Sequence, residues 1–433
     1  MTEKPNILFI FSDQQHWQAV GFEDSSFQTP NLNRLASQGT VFTESFCTTP
    51  QCSPSRSSIM TGLYPSKTGV MGNIGAAGGE TLQLPTIGAA LQKAGYRTAY
   101  FGKWHLGKHP VGTAGWHEDF GVTGPETTDD VEVTRYALSF LETVDADRPF
   151  ALFLSYNNPH DIYDFDRETD PVPAKPVELP ETWHNKDLST VPAVQSQFMR
   201  EDQGKVIVDD EGPAWERYRE MYREKVKLYD EEVGKVLGTL EDKGLSGTTL
   251  VVATSDHGDM DSQHHLIYKG PFMYEHMMRV PLIVRLPASA RSGAPPTVDF
   301  ATVNVDLAPT LADFAEISIP RTDGVSLKPF LVGGTRIPER EFVIGQYYSK
   351  QKWVNPIRMI RDNRHKYNLY REHGEELYDL TKDPSEIINR AGDTAYGEVQ
   401  LELAAKLDIW MKQHEDRFPS QCPTTRNGEA LIG

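Results

Sequence analysis

Asn6-Ile7-Leu8-Phe9-Ile10-Phe11-Ser12-Asp13-Gln14 is a short apolar run that ends on a carboxylate and an amide. Three later stretches share the layout. Arg97-Thr98-Ala99-Tyr100-Phe101 leads to Lys103 and His105, Phe150-Ala151-Leu152-Phe153-Leu154-Ser155-Tyr156 leads to His160, and Thr249-Leu250-Val251-Val252-Ala253-Thr254 leads to Asp256 and His257. Near-continuous apolar strands are what a sheet covered on both faces requires. In open α/β sheets, ligands collect at the carboxyl ends of the strands. The expected fold is therefore α/β, a large mixed and mostly parallel sheet flanked by helices, with a smaller C-terminal α+β domain.

Helices are expected between these strands. Thr29-Pro30 opens one that carries Leu32, Leu35 and Ala36 and stops at Gly39; Leu84-Pro85-Thr86 opens another, closed by Gly95. The longest spans about 213–243, with Tyr222, Val226, Tyr229, Val233, Val236, Leu237 and Leu240 on one face at steps of three and four. Residues 161–212 contain several prolines and little periodicity, and read as an irregular insertion over the site. The division expected is a catalytic domain over 1–335 and, over 336–433, a small antiparallel sheet with a helix of about 396–413.

The chain has 433 residues, enough for two cores, because a single core stops growing beyond about 250–300 residues. Lys+Arg 43 against Asp+Glu 61 leaves a net charge of −18, which argues against nucleic acid and anionic membrane surfaces as partners. An anionic substrate must then be held by a local cationic pocket. The cysteines, Cys47, Cys52 and Cys422, are too few for a disulfide framework. Met1-Thr2-Glu3-Lys4-Pro5 runs straight into the first strand without a signal-peptide pattern, so a cytoplasmic location is expected, periplasmic if a leader has been trimmed.

Asp13 and Asp256 end different strands on one edge of one sheet. Paired carboxylates there point to a metal site, with Gln14 and His257 as neighbours. A second chemical signal is Gln51-Cys52-Ser53-Pro54-Ser55-Arg56. Ser53 is a good N-cap and Pro54 suits a first helical turn, which sets Cys52 at a helix N-terminus, where free N–H groups favour an anion.

The Cys52–Arg56 run resembles the C-x-P-S-R signature of type I sulfatases, members of the alkaline-phosphatase superfamily. Gly102-Lys103-Trp104-His105-Leu106-Gly107 resembles that family's second signature, G-K-W-H-x-G. Ser255-Asp256-His257-Gly258-Asp259, followed by Tyr268-Lys269-Gly270-Pro271, resembles its S-D-H-G block and downstream lysine. The blocks occur in the family's order. The resemblance implies that a maturation enzyme oxidises Cys52 to formylglycine. It also implies that Asp13, Gln14, Asp256, His257 and modified Cys52 bind a divalent cation. Calcium is the ion expected, with magnesium and manganese open, because His257 brings nitrogen where many members carry Asn and hard ions prefer oxygen. Arg56 would donate to the modified side chain. Lys103 and Lys269 would hold sulfate, His105 would take a proton from formylglycine, and His160 would contact the ester oxygen. His16 and Trp17 at the pocket mouth, and His264 and His265 on a nearby loop, are further candidates for substrate contact.

The activity implied is hydrolysis of a sulfate monoester, a carbohydrate sulfate first and an aryl or alkyl (choline-type) sulfate second. Phosphonate monoester hydrolases often share the Asp-Gln and Asp-His pattern but tend to replace the Lys and His that stand here at 103 and 105. A degenerate sulfated-glycan-binding protein should have lost the nucleophile or a metal carboxylate. A phosphatase or phosphomutase of the related fold would carry Ser or Thr where Cys52 stands.

Overall fold

The computed structural model describes residues 4–112, 114–121, 129–145, 147–169, 177–291, 293–333 and 340–418. Its centre is an eight-stranded sheet in the order Glu118–Phe120, Arg97–Gly102, Phe150–Pro159, Asn6–Asp13, Thr249–Ser255, Leu282–Arg285, Thr40–Phe42, Thr297–Val298. Asn6–Asp13 pairs in parallel with both Phe150–Pro159 and Thr249–Ser255, and Arg97–Gly102 is parallel to Phe150–Pro159. Leu282–Arg285 is antiparallel to its neighbours, so the sheet is mixed and mostly parallel.

Alternation along the central strand decides which residues face which layer. Ile7, Phe9 and Phe11 pack on one side with Ile59, Met60, Leu91 and Leu311 of the helices Cys52–Thr61, Ile87–Lys93 and Leu307–Phe314. Leu8 and Ile10 point to the other side, against Val133, Phe140, Tyr229, Val233 and Val236 of the helices Asp130–Glu142 and Pro213–Asp242. Both faces are covered, which accounts for strands with little polar alternation. Parallel pairing brings the carboxyl ends of the four central strands to one edge. Asp13, Lys103, His160 and Asp256 follow from that register, with Phe11 opposite Thr254 and Phe101 opposite Leu154.

The C-terminal unit is an antiparallel sheet, Val343–Lys350, Trp353–Arg361, His365–Tyr370 and Gly374–Asp379 in sequential order, with the helix Gly397–Gln413 on one face. Leu403, Leu407 and Trp410 of that helix pack on Ile344, Ile360 and Tyr367. Val343, Tyr347, Ile357 and Met359 on the other face join a cluster with Phe198, Tyr218, Met273 and Met278. The expected boundary at 335/336 and Cys422 lie outside the described residues.

Two local expectations are revised. The helix expected to be capped by Ser53 runs Cys52–Thr61, with Gln51 in extended conformation at the cap. Ser53 instead ties the helix to the following loop: its N–H donates to Asn73 Oδ1 (3.0 Å) and its Oγ accepts from the Ile74 N–H (3.1 Å). An external side chain thus satisfies a first-turn donor that a cap would otherwise take. The 161–212 segment, expected to be irregular, holds the short helical stretches Glu181–Asn185 and Ala193–Glu201 besides several 3₁₀ turns. Each is too brief to show a helical period in sequence.

Gly102 sits at φ +102°, and a Cβ there would lie 1.9 Å from the Ser155 carbonyl oxygen. The close approach lets the chain turn immediately before Lys103. Gly102→Ala should destabilise the protein by about 2 kcal/mol or more, read as a lower thermal midpoint. An unchanged midpoint would mean that this strand end relaxes freely.

Candidate active site

Helix Cys52–Thr61 points its first turn at the carboxyl edge of the sheet, and its residues divide the work. The Ser55 hydroxyl donates to the Asp256 carbonyl and receives a bond from Asn304 Nδ2 (2.8 Å), fastening the helix to the strand end. One turn from Cys52, Arg56 is buried with its guanidinium between the two strand-end carboxylates. Nε donates to Asp256 Oδ2 (2.8 Å), Nη2 to Asp13 Oδ2 (3.0 Å), and Nη1 to Ser155 Oγ (2.7 Å) and the Lys103 carbonyl. These bonds go to carboxylates, a hydroxyl and a carbonyl, and none of them goes to Cys52.

The Cys52 thiol, 1% exposed, is surrounded by chemistry from distant parts of the chain. Lys269 Nζ lies 3.1 Å from Sγ, His257 Nε2 3.3 Å and Asp13 Oδ1 3.6 Å. Lys103 Nζ is 2.7 Å from Asp13 Oδ2, and Lys269 Nζ is 2.6 Å from Gln14 Oε1. Burial alone would push the thiol up. Lys269, Lys103 and His257 outweigh it and hold Cys52 well below the usual thiol range. Burial likewise opposes ionisation of Asp13, yet the ammonium groups of Lys103 and Lys269 keep it below the ordinary carboxylate range. Asp256 is pushed up by burial and by its neighbour Asp13. This is the like-charge cost that Arg56 offsets.

His105 and His160 complete the ring. Burial first, then Lys103 and Arg56, depress the His105 imidazole; burial, Lys103 and Lys269 lower His160 to about 4. Both rings are neutral at pH 7, and both nitrogens of the His105 ring are buried without a hydrogen-bond partner among the described residues.

Asp13, Cys52, Asp256 and His257 offer ligand atoms that all lie within 4.8 Å of one another. Donors so spaced can share one ion with bonds of about 2.3–2.6 Å. The donor set passes a further test. His257 Nδ1 is 2.9 Å from the Gly258 carbonyl, which can only accept, so Nδ1 keeps its proton and, in the neutral ring that a metal requires, Nε2 would offer its lone pair to the cluster. Gln14, at φ +74°, is held in this uncommon conformation by Tyr222, whose hydroxyl donates to the Gln14 carbonyl (2.7 Å) and accepts from the His16 N–H (3.1 Å).

The remaining candidates lie apart from the thiol. His16 is buried, stacked on Tyr222 (5.3 Å between centroids) and 3.6 Å from Asp261, so it packs beneath the Gln14 turn and does not line a mouth. Trp17 packs under the Arg279 guanidinium at 3.8 Å. His264 is buried against Tyr274 (4.0 Å) and His265 stacks on Trp183 (4.5 Å), each in a structural contact. The sequence reading missed Tyr163, which stacks on Tyr268 (4.2 Å) and lies 5.5 Å from Lys269 Nζ. It also missed Asp130, whose carboxylate accepts from the Asn157 N–H (2.6 Å) and the Asn158 N–H (3.0 Å) just before His160. An aspartate opening a helix reads only as a cap; its second task depends on which strand end lies beside it.

Comparison with known proteins agrees with this geometry. Residues 5–317 match the family described as Sulfatase, and residues 263–413 match N-sulphoglucosamine sulphohydrolase, C-terminal. A Delta 4,5-hexuronate-2-O-sulfatase of Bacteroides thetaiotaomicron is 30% identical over 96% of this chain and 91% of its own. An N-acetylglucosamine-6-O-sulfatase of the same organism is 28% identical over 98% and 89%. The solved structure of a 2-O GAG sulfatase superposes with a TM-score of 0.87 at 28% identity, covering 98% of this chain and 95% of that one. A match through most of the chain, over a sheet edge that gathers anion-binding cations around one buried cysteine, makes this protein a member of the sulfatase family of the alkaline phosphatase superfamily, and a sulfuric ester hydrolase.

Proposed function

We propose that this sulfatase hydrolyses a carbohydrate sulfate monoester to the alcohol and inorganic sulfate, with formylglycine made from Cys52 as nucleophile and a divalent cation, calcium first, beside it. The observation that carries the reading is the surround of Cys52: Lys269 at 3.1 Å, His257 at 3.3 Å and Asp13 at 3.6 Å on a nucleophile at a helix start. The sugar class rests on the relatives, whose names specify hexuronate and N-acetylglucosamine sulfates.

In this reading Asp13, Asp256, His257 and Gln14 would hold the cation. Bound there, a divalent ion supplies positive charge that favours an ionised hydroxyl of the hydrated aldehyde and offsets charge on the transferring sulfuryl group. The protein's own groups do the rest. Lys103 and Lys269 bind sulfate oxygens as point charges, and Arg56 holds the carboxylates in place from behind. Lys269 and His160 would donate to the ester oxygen as the sulfuryl group passes from the alcohol oxygen to a hydrate oxygen of modified residue 52, one sulfur–oxygen bond forming as the other breaks, and the alcohol departs with a proton from one of these donors. Neutral His105 would then take a proton from the second hydroxyl, so that the carbon–oxygen bond to sulfate at modified residue 52 breaks by elimination, the aldehyde is restored and no water need attack the ester. General acid–base assistance of this kind contributes about 10²–10⁴-fold per group.

A phosphonate monoester hydrolase is the second reading, favoured by Gln14 and His257 and opposed by Lys103 and His105 in the second signature. Hydrolysis of 4-nitrophenyl sulfate and of a 4-nitrophenyl phosphonate monoester should be compared on protein co-expressed with a formylglycine-generating enzyme. Preference for sulfate, abolished in Cys52→Ala, is expected; preference for the phosphonate would overturn the proposal. A screen of sulfated hexuronates and amino sugars then tests the sugar class, and turnover confined to aryl or choline sulfates would reject it.

Stripping with a chelator should remove most of the activity, and calcium should restore it better than magnesium or manganese. Because Cys52 is 1% exposed, the maturation enzyme must reach it before the chain closes. Conversion, followed by mass spectrometry, should be far faster on a peptide spanning residues 46–62 than on the folded unmodified protein. Equal rates would show that the helix start opens readily.

A further inference from the structure

Gln14 is an ambiguous metal ligand. Its amide presents oxygen or nitrogen depending on a flip of the side chain, and only the oxygen can coordinate a hard cation. The structure assigns the choice of face to Asp259, a residue that no part of the proposed chemistry uses. We infer that Asp259 is a positioning residue that keeps Gln14 Oε1 turned into the cation site; this rests on the metal reading above.

The argument is one of hydrogen-bond polarity. Gln14 Nε2 is 2.7 Å from Asp259 Oδ2, while Gln14 Oε1 is 2.6 Å from Lys269 Nζ, on the side of Cys52 and His257. Both Asp259 oxygens already accept from donors on other residues, so the carboxylate presents lone pairs and the amide turns its N–H₂ toward it. The flipped amide would set oxygen against carboxylate and nitrogen against ammonium, losing both bonds at once. Asp259 is itself fixed. Tyr218 donates to its two oxygens at 2.9 and 3.1 Å, and the Asp261 N–H donates to Oδ1 at 2.7 Å. Tyr218 is in turn held by the Tyr268 N–H (3.0 Å), immediately before Lys269. Gln14, Asp259 and Tyr218 are all fully buried, so water does not compete for these bonds. Both partners of the Gln14 amide are therefore set by one loop, 256–269, which also supplies Asp256, His257 and Lys269.

The test is a cycle of calcium affinities, measured by calorimetry on chelator-stripped protein. It compares wild type, Asp259→Asn, Gln14→Ala and the double variant, with thermal melts as a folding control. Asp259→Asn should weaken calcium about 10–100-fold, the usual cost of losing a partner that orients a metal ligand. In the Gln14→Ala background the same change should cost less than twofold, because there is no amide left to orient. Polarity can also be exchanged. Gln14→Glu alone puts two carboxylates face to face and should bind calcium poorly, whereas Gln14→Glu with Asp259→Asn reverses the polarity of the bond, with the donor now at 259 and the acceptor at 14, and should recover at least tenfold. This pair decides the matter if Asp259→Asn alone does not fold.

Wild-type affinity in Asp259→Asn, an undiminished loss in the Gln14→Ala background, or no recovery in the exchanged pair would overturn the inference while leaving the metal reading intact. Failure of wild type to bind calcium, magnesium or manganese would overturn both.

Discussion

The site depends on one buried guanidinium. Arg56 spans Asp13 and Asp256, the ends of two neighbouring parallel strands drawn from opposite ends of the catalytic lobe. Two carboxylates side by side in a dry interior repel each other and resist ionisation, and each carries a desolvation cost of several kcal/mol. Arg56 offsets both, and its planar fork matches two acceptors at fixed angles, as a lysine could not. Because Arg56 lies one turn into the helix that begins with Cys52, the same contact fixes the distance between Cys52 and the carboxylates.

Charge is then sorted around that pair. The protein as a whole carries −18, so nothing in its long-range field draws an anion inward. Locally the balance is reversed: Lys103, Lys269 and Arg56 converge within a small volume, and the neutral His105 and His160 add no charge that would compete with them. Attraction is short-range and available only to a group that fits. Beside these cations the half-buried Tyr163 lies against Tyr268, its ring 5.5 Å from Lys269 Nζ.

The precision of this arrangement is held by hydrogen bonds from residues behind the cluster. Gln14 and His105 both adopt positive φ, as do Asp261, Ser262, His264, His265 and Tyr268 in the loop that carries Lys269. Such conformations cost energy in residues with a Cβ and persist only where the surroundings impose them. Here Tyr222 clamps the Gln14 backbone, Asp259 and Tyr218 hold its amide, and the rings of Tyr274 and Trp183 hold His264 and His265. The long helix Pro213–Asp242 that supplies Tyr218 and Tyr222 is thus a wall of the core and, through two hydroxyls, a brace for the site.

Legibility followed the range of the interaction that each feature depends on. The sheet, its covering helices and the strand ends that bear Asp13, Lys103, His160 and Asp256 were readable because they arise from local apolar runs and from parallel pairing, which brings carboxyl ends to one edge. Cys52 and Arg56 were readable because they share one helical turn. The orientation of polar tips was not. Tyr218 and Tyr222 look like apolar positions in a helical period, His16 and His264 look like available imidazoles, and Asp130 looks like a cap. Which way a hydroxyl, an imidazole or a carboxylate points is settled by partners far away in the chain, such as Asp259 for Tyr218, Asp261 for His16 and the Asn157–Asn158 strand end for Asp130. By itself the sequence determined the periodicity, the edge and the chemistry available there; the tertiary structure alone decided which donor meets which acceptor, because that depends on contacts no single segment encodes.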